Sequence, residues 1–388
     1  MIILSFLGTT KLDETEYIWD TRIPQSTDSF LVALSVWFPK ADIYILETEK
    51  AKESNGVAAR AKLPNARFIP IPNGRSDDEN WQIFNTLAEA LPEDAELVFD
   101  ITNGFRSLPI LSMLVVSFLR SVKKLNLKHL VYAAFERGVT PTPVFDLTPF
   151  VTMLDWANAT NRFLETGDAR KLQPLIQTQG QRPLSDNLNA TAKLLEPLSQ
   201  ALALIRPIDT AHQANEITER IEKARSERWA VQHEPFKLIL ERLEKTITPL
   251  AATDSNSESI LSAQYQQILW YDTHNQHEKA SALAREWLVS IRIWKQGKML
   301  IPIDDQVRKN AEDWLNKCSH NTESYDAEWV NLIKYWRNLA DLRNDLMHCG
   351  MRKEPRKLIN LPTEVHEKII QLRGVVAPLG LELPEVSQ

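Results

Sequence analysis

The stretch ELVFDITNGFRSLPILSMLVVSFLRSV, residues 96–122, decides how this chain folds. ELVFDIT is an apolar run of strand length, as expected of a strand buried on both faces. Asn103 and Gly104 interrupt it. An apolar run of helical length follows, with Arg106 and Ser107 in its first turn. The same alternation extends outward in both directions. MIILSFLG (1–8), DIYILET (42–48), ARFIPIP (66–72), HLVYAAFE (129–136) and TPVFDLT (142–148) read as strands, and TDSFLVALSVWF (27–38) and ENWQIFNTLAEAL (79–91) as helices. Apolar strands separated by helices predict a Rossmann-like α/β domain over 1–149, its mostly parallel sheet covered on both faces. Beyond about Phe150 strand-like runs cease, and helical periodicity continues to about Arg373, so 150–388 is expected to be all-α, comprising a helical linker and a terminal domain. QTQGQRPLSD (177–186) and TDSNSES (253–259) read as surface connections.

The 388 residues leave room for two domains, and 43% hydrophobic with 25% charged residues is ordinary globular material. A net charge of −6 excludes a bulk polycation, so any nucleic-acid site must be local. The two cysteines, Cys318 and Cys349, form no CxxC, which argues against a disulfide framework or structural zinc and fits a reducing cytoplasm. No run approaches eighteen apolar residues and the chain opens on a strand, so neither a membrane span nor a signal peptide is expected.

In open α/β sheets ligands sit beyond the carboxyl ends of the strands, where strand order reverses. Four loops leave such ends: LGTT (7–10), the segment after LET (46–48), IPNGRSDD (71–78) and DITNGFRS (100–107). Gly8 permits close backbone approach, and Thr9 and Thr10 add hydroxyls. Thr102, Asn103 and Ser107 offer hydrogen bonds at a helix N-terminus, where free N–H groups favour phosphate, and Arg106 adds a fixed positive charge. A plainer reading has Asn103 capping the helix and Gly104 easing the turn. No GxGxxG follows the first strand and no GxxxxGK[ST] occurs, which argues against a dinucleotide cofactor or an NTPase loop.

The second constellation is RNDLMHCG, residues 343–350, ending the periodic run AEWVNLIKYWRNLADLRNDLMH. Trp329, Trp336 and Arg343 are spaced by seven, which puts Arg343 at the end of an apolar seam facing a partner chain, a cleft or a carboxylate. Asn344 and His348, four apart, share a face, with Gly350 expected to stop the helix. From Lys334 to Lys357 there are seven Lys/Arg against three Asp/Glu, the footprint of a phosphodiester substrate or of a solvated basic face. Arg343 and His348 suit RNA cleavage by the substrate's own 2′-hydroxyl: the histidine moves the proton and the arginine stabilises phosphorane charge, with no metal required. An ion-paired helix end would carry the same residues. His274 and His277 lack a third metal ligand, and His129 reads as structural.

FLGTT, IPNGRSDDENW, DITNGFRSLP and FDLTPFVTMLDWANATNRFLETGD (145–168), in this order, resemble the CRISPR-associated CARF–HEPN ribonucleases. The resemblance is dense over the first 170 residues and resumes near the C-terminus. It implies an N-terminal CARF domain that binds a cyclic oligoadenylate across a two-fold axis, with Gly8, Thr9, Thr10, Thr102, Asn103, Gly104, Arg106 and Ser107 as ligand residues and a rim around Asn73 and Gly74. It implies a C-terminal HEPN domain with a composite site built from Arg343, Asn344 and His348 of two subunits, the tryptophan seam forming their interface. The implied protein is a cytoplasmic homodimer, or a higher oligomer, that cleaves single-stranded RNA in antiviral defence. It needs no cofactor, and its activator is a ring with tetra-adenylate favoured. The rival expectation is a non-catalytic regulator whose ligand-binding domain controls a nucleic-acid-binding or partner-binding helical domain. A third possibility, cleavage of the ring on the sheet edge itself, lacks an evident base.

Overall fold

A computed structural model of the chain describes residues 1–10, 13–103, 107–177, 186–226, 234–252, 254, 256–301, 304–321 and 323–384. The chain divides into two compact units, Met1–Leu154 and Asp155–Gln388. In chain order the first contains β1 (Ile2–Phe6), β2 (Thr15–Ile18), β3 (Gln25–Thr27), α1 (Phe30–Trp37), β4 (Asp42–Glu47), α2 (Glu49–Ala51), a π-helical turn (Lys52–Gly56), α3 (Val57–Lys62), β5 (Arg67–Pro70), α4 (Asp77–Ala90), β6 (Glu96–Asp100), α5 (Ser107–Val122), β7 (Asn126–Ala133) and β8 (Thr142–Asp146). The eight strands lie in the order β3-β2-β8-β7-β6-β1-β4-β5. β1 runs parallel to both β4 and β6, and β6 parallel to β7. β7 and β8 pair antiparallel, as do β2 and β3.

The period-two geometry of a strand sorts the buried residues onto two faces. Ile2, Leu4, Phe6, Leu97 and Phe99 face α4 and α5, packing with Ile83, Leu87, Val115 and Leu119. Ile3, Ile45, Val98 and Val131 face Phe30, Leu31 and Leu34 of α1. This is the expected α/β unit. The β2–β3 pair and the helical stretch 49–62 are additions to it. β2 is only four residues long and alternates buried with exposed positions, too brief a pattern to stand out.

The second unit is helical, as predicted. α6 (Thr148–Thr166) leads into it, followed by α7 (Leu172–Gln177), α8 (Asp186–Ala203), α9 (Pro207–Arg225), α10 (Glu234–Ile247), α11 (Ser257–Thr273), α12 (His277–Lys295), α13 (Asp305–Ser319), α14 (Val330–Met347) and α15 (Leu361–Val376). Most of the connection 177–186 lies outside the described residues. In TDSNSES, Asn256 caps α11, its side-chain oxygen accepting from the Ser259 N–H at 2.8 Å. No helix among the described residues is long and apolar enough to cross a membrane.

The tryptophan seam is placed differently from the expectation. Trp329 and Trp336 are 2% and 1% exposed, inside the core of this same chain rather than on an outer face. The Trp336 indole N–H donates to Asn316 Oδ1 at 3.0 Å. Trp329 meets Trp314 edge-on at 5.0 Å, and Arg292 lies 3.6 Å over the Trp314 ring. Spacing by seven marks a seam without saying what covers it, and here α12 and α13 do.

Trp336→Ala should therefore lower stability by about 3–5 kcal/mol, read from urea unfolding, and leave the native mass by light scattering unchanged. A change of mass with undiminished stability would return the seam to an intermolecular interface.

Candidate functional site

At β1 the strand order reverses: the chain reaches β4 on one side, and β6 lies on the other. The loops leaving β1 and β6 line a cleft of about 560 Å³ there. Gly8, Thr9, Thr10, Thr102 and Asn103 line it together, as do Thr48, Tyr132, Phe135 and Arg137. Gly104 and Arg106 lie outside the described residues. Ser107 is the first residue of α5. Asn73 and Gly74 are not part of the lining; Gly74 has φ +70°, and a Cβ added there would meet Leu108 Cδ2 at 2.9 Å.

Each polar residue is held from below. Asp100, the last residue of β6, has no exposure, and its Oδ2 accepts from the Ser5 hydroxyl of β1 at 2.6 Å. Its Oδ1 accepts from the Thr102 N–H at 2.8 Å. Thr102 Oγ1 in turn accepts from the Ala133 N–H at 2.9 Å, joining the end of β7. Burial pushes the Asp100 carboxyl up, against the pull of its hydrogen bonds to Ser5 and Thr102. Burial and the nearby Asp100 charge push the Tyr17 phenol up to about 12.

Asn103 is the last described residue before α5, and the residues between them lie outside the described ones. Its amide lies against Gly8: a Cβ built on Gly8 would come within 2.8 Å of Asn103 Oδ1. Asn55 fixes the other side of the β1 loop, donating to the Gly8 carbonyl at 2.7 Å and the Thr10 carbonyl at 3.3 Å. Asn55 sits in the π-helical turn, a distortion frequent at functional sites. Nothing in the local sequence around Asn55, Tyr132, Phe135 or Arg137 shows what each of them faces. Arg137 pairs with Asp13 at 3.3 Å, both exposed.

The second cluster ends α14. Arg343 is half-buried and its Nε has no hydrogen-bond partner among the described residues; Nη1 donates to Asn344 Oδ1 at 3.3 Å. Asn344 and His348 are exposed. The helix stops one residue earlier than Gly350 suggests. Cys349 takes a left-handed φ of 56° and Gly350 one of 68°. The Cys349 N–H donates to the Leu346 carbonyl and the Gly350 N–H to the Asp345 carbonyl, each at 3.0 Å. This Schellman closure leaves His348 as the C-cap. The following segment is tied back to the helix. Arg352 pairs with Asp341 at 3.0 Å and with buried Asp345 at 3.5 Å. Arg356 pairs with Asp341 at 2.8 Å and also with Glu364. Arg356 and Arg352 hold the Asp341 carboxyl below its ordinary range. The local positive excess therefore rests on Lys334, Arg337, Arg343, Lys353 and Lys357, none ion-paired among the described residues.

Four other histidines have local partners. His129 Nδ1 lies 2.6 Å from Asp146 Oδ2, its ring edge-on to Trp19. His274 stacks on Trp270 at 4.0 Å. His277 and His366 flank the buried Asp272 at 3.3 and 2.6 Å. Among the described residues no group of three His, Cys, Asp or Glu is arranged to hold a metal.

Three similarities accompany this geometry. Residues 152–252 match the family model described as CRISPR-associated protein MJ1674, second domain. The chain is 25% identical over 341 residues to the CRISPR-associated protein MJ1674 of Methanocaldococcus jannaschii, a match covering 83% of this chain and 50% of the relative. It thus spans about half the length of that curated relative. The structure of Enterococcus italicus Csm6 bound to cyclic hexa-2′-fluoro-hexa-dAMP superposes with a TM-score of 0.47 at 10% identity, covering 99% of this chain and 95% of that one. The family model and the archaeal relative bear out the CRISPR-associated family that the sequence motifs resemble.

Asp100→Asn can keep both hydrogen bonds, because the Ser5 hydroxyl can turn to accept from the new amide. Burial raises the Asp100 proton affinity in the folded state, so its penalty is absent below the ordinary carboxylate range and fully felt above the raised value. The stability of Asp100→Asn relative to wild type should therefore rise from pH 4 to pH 8 in urea unfolding. Asp100→Ala leaves the Thr102 N–H and Ser5 unsatisfied and should lose about 1–3 kcal/mol. A relative gain for the wild type at higher pH would mean that the charged carboxylate stabilises this junction.

Proposed function

We propose that this CRISPR-associated chain is an endoribonuclease switched on by a cyclic oligoadenylate, sensing with its α/β unit and cutting with its helical unit. One observation carries the reading. Gly8, Thr9, Thr10, Thr102 and Asn103, singled out from two loops nearly a hundred residues apart, line one cleft at the strand-order reversal. Hydroxyl and amide groups over a close-packed glycine suit the phosphates and riboses of a nucleotide ring, and α5 begins beside them. In this reading Gly104, Arg106 and Ser107 complete the ring site, and two copies of the chain share one ring about a two-fold axis.

The cutting site is assigned to Arg343, Asn344 and His348. His348, exposed at the helix end, moves the proton of the attacking 2′-hydroxyl or of the leaving 5′-oxygen. Arg343, half-buried and free of ion pairs among the described residues, keeps its guanidinium for the phosphorane oxygens. Asn344 orients Arg343 through the 3.3 Å contact. The ring activates only to the extent that it binds the cutting-competent state more tightly than the resting one.

Two measurements test the two halves. His348→Ala should abolish cleavage of labelled single-stranded RNA, and Arg343→Ala should lower it by about 10²–10³, with ring binding intact in both. Cleavage should persist in EDTA and leave a 2′,3′-cyclic phosphate; a 3′-hydroxyl product or strict magnesium dependence rules the mechanism out. Asn103→Ala should weaken binding of cyclic tetra-adenylate in calorimetry, with one ring per two chains. A stoichiometry of one ring per chain rules out the shared pocket.

A further inference from the structure

The cleft has two walls of different chemistry. The loops after β1 and β6 supply hydroxyls, an amide and backbone groups. The wall on the β7 side supplies Tyr132 and Phe135. Along β7 the side chains alternate, and Leu130, on the same sheet face as Tyr132, is 2% exposed in the core beneath α5. Two residues on, Tyr132 is 40% exposed. It projects beyond the cover of the helix into the cleft, and its hydroxyl makes no hydrogen bond among the described residues. On β8 its directly opposite antiparallel neighbour is Phe145, which is half exposed and does not line the cleft. Directly opposite residues share a face within side-chain contact range.

We infer that the β7 wall is a base-stacking surface: Tyr132 and Phe135 take the faces of the bases, while the β1 and β6 loops hold the phosphates and sugars. The inference rests on the ring-binding reading above and adds what that reading leaves open, the group that makes the site answer to the base. Threonine hydroxyls and a phosphate-facing helix end treat all nucleotides alike. An aromatic face does not: a purine offers it a larger area than a pyrimidine, and stacking on such a side chain is worth about 1–3 kcal/mol per base. Arg137 at the rim, held by Asp13, closes the same side with a guanidinium.

The test is calorimetry on the full chain with cyclic tetra-adenylate, cyclic hexa-adenylate and cyclic tetra-uridylate, comparing wild type with Tyr132→Phe, Tyr132→Leu and Tyr132→Ala. Tyr132→Phe keeps the ring face and should bind adenylate rings as wild type does. Tyr132→Leu keeps an apolar strand residue without the face, and Tyr132→Ala removes both. Each should weaken adenylate binding by between about fivefold and about 150-fold, and the preference for adenylate over uridylate should shrink with it. If Tyr132→Ala fails to fold, the Leu and Phe variants decide. Adenylate binding that survives Tyr132→Leu unchanged overturns the stacking wall and leaves the ring-binding reading standing. A wild type that binds none of the rings overturns both.

Discussion

The reversal of strand order at β1 is the constraint from which the rest of the first unit follows. β1 lies between β4 and β6, and the chain leaves it through the loop to β2, which pairs with β8 on the far side of β6 and β7, so the ends of β1 and β6 are met by loops. The backbone there must end in polar groups with few partners. Asp100 is the device that holds them. Without exposure, it ties β1 through Ser5 and the β6 loop through Thr102, and Thr102 extends the tie to β7. A buried carboxyl is an expensive anchor. Its position explains its use: one acceptor group with two oxygens can reach a hydroxyl on one strand and an amide on the next loop, which no apolar residue could do.

A cleft held in this way is rigid below and chemically divided above. Gly8 is pinned between Asn103 on one side and Asn55 on the other, so the β1 loop has little room to relax. Preorganisation of this kind would lower the ordering cost of binding the proposed ring. The aromatic wall on β7 would then supply discrimination where the polar wall supplies grip.

In the helical unit the helix end is organised by charge and by backbone sense of turn. Asp341 and Asp345, four apart on α14, take Arg352 and Arg356 and draw the chain after Gly350 back along the helix. That strap fixes the turn on which His348 sits, and it removes two arginines from the basic surface. Arg343 closes the tryptophan seam from the outer end. Its Nε has no hydrogen-bond partner among the described residues, so its head keeps hydrogen-bonding capacity.

The sequence by itself determined the elements and their division. Buried strands and amphipathic helices announce themselves through runs and periods that each residue shares with close neighbours in the chain. The same local signal located the polar junction at 100–107 and the RNDLMHCG turn. Only the tertiary structure decided what those residues meet. Thr9 and Asn103 are brought together by β1 pairing with β6, a contact between residues almost a hundred positions apart. Tyr132 lines the cleft with residues of the β1 and β6 loops, which lie far from it in the chain. The seam of Trp329 and Trp336 looks the same in sequence whether a partner chain or α12 and α13 cover it. Periodicity specifies an apolar stripe, and burial of that stripe is satisfied equally by either neighbour, so the choice belongs to the packing of the whole unit.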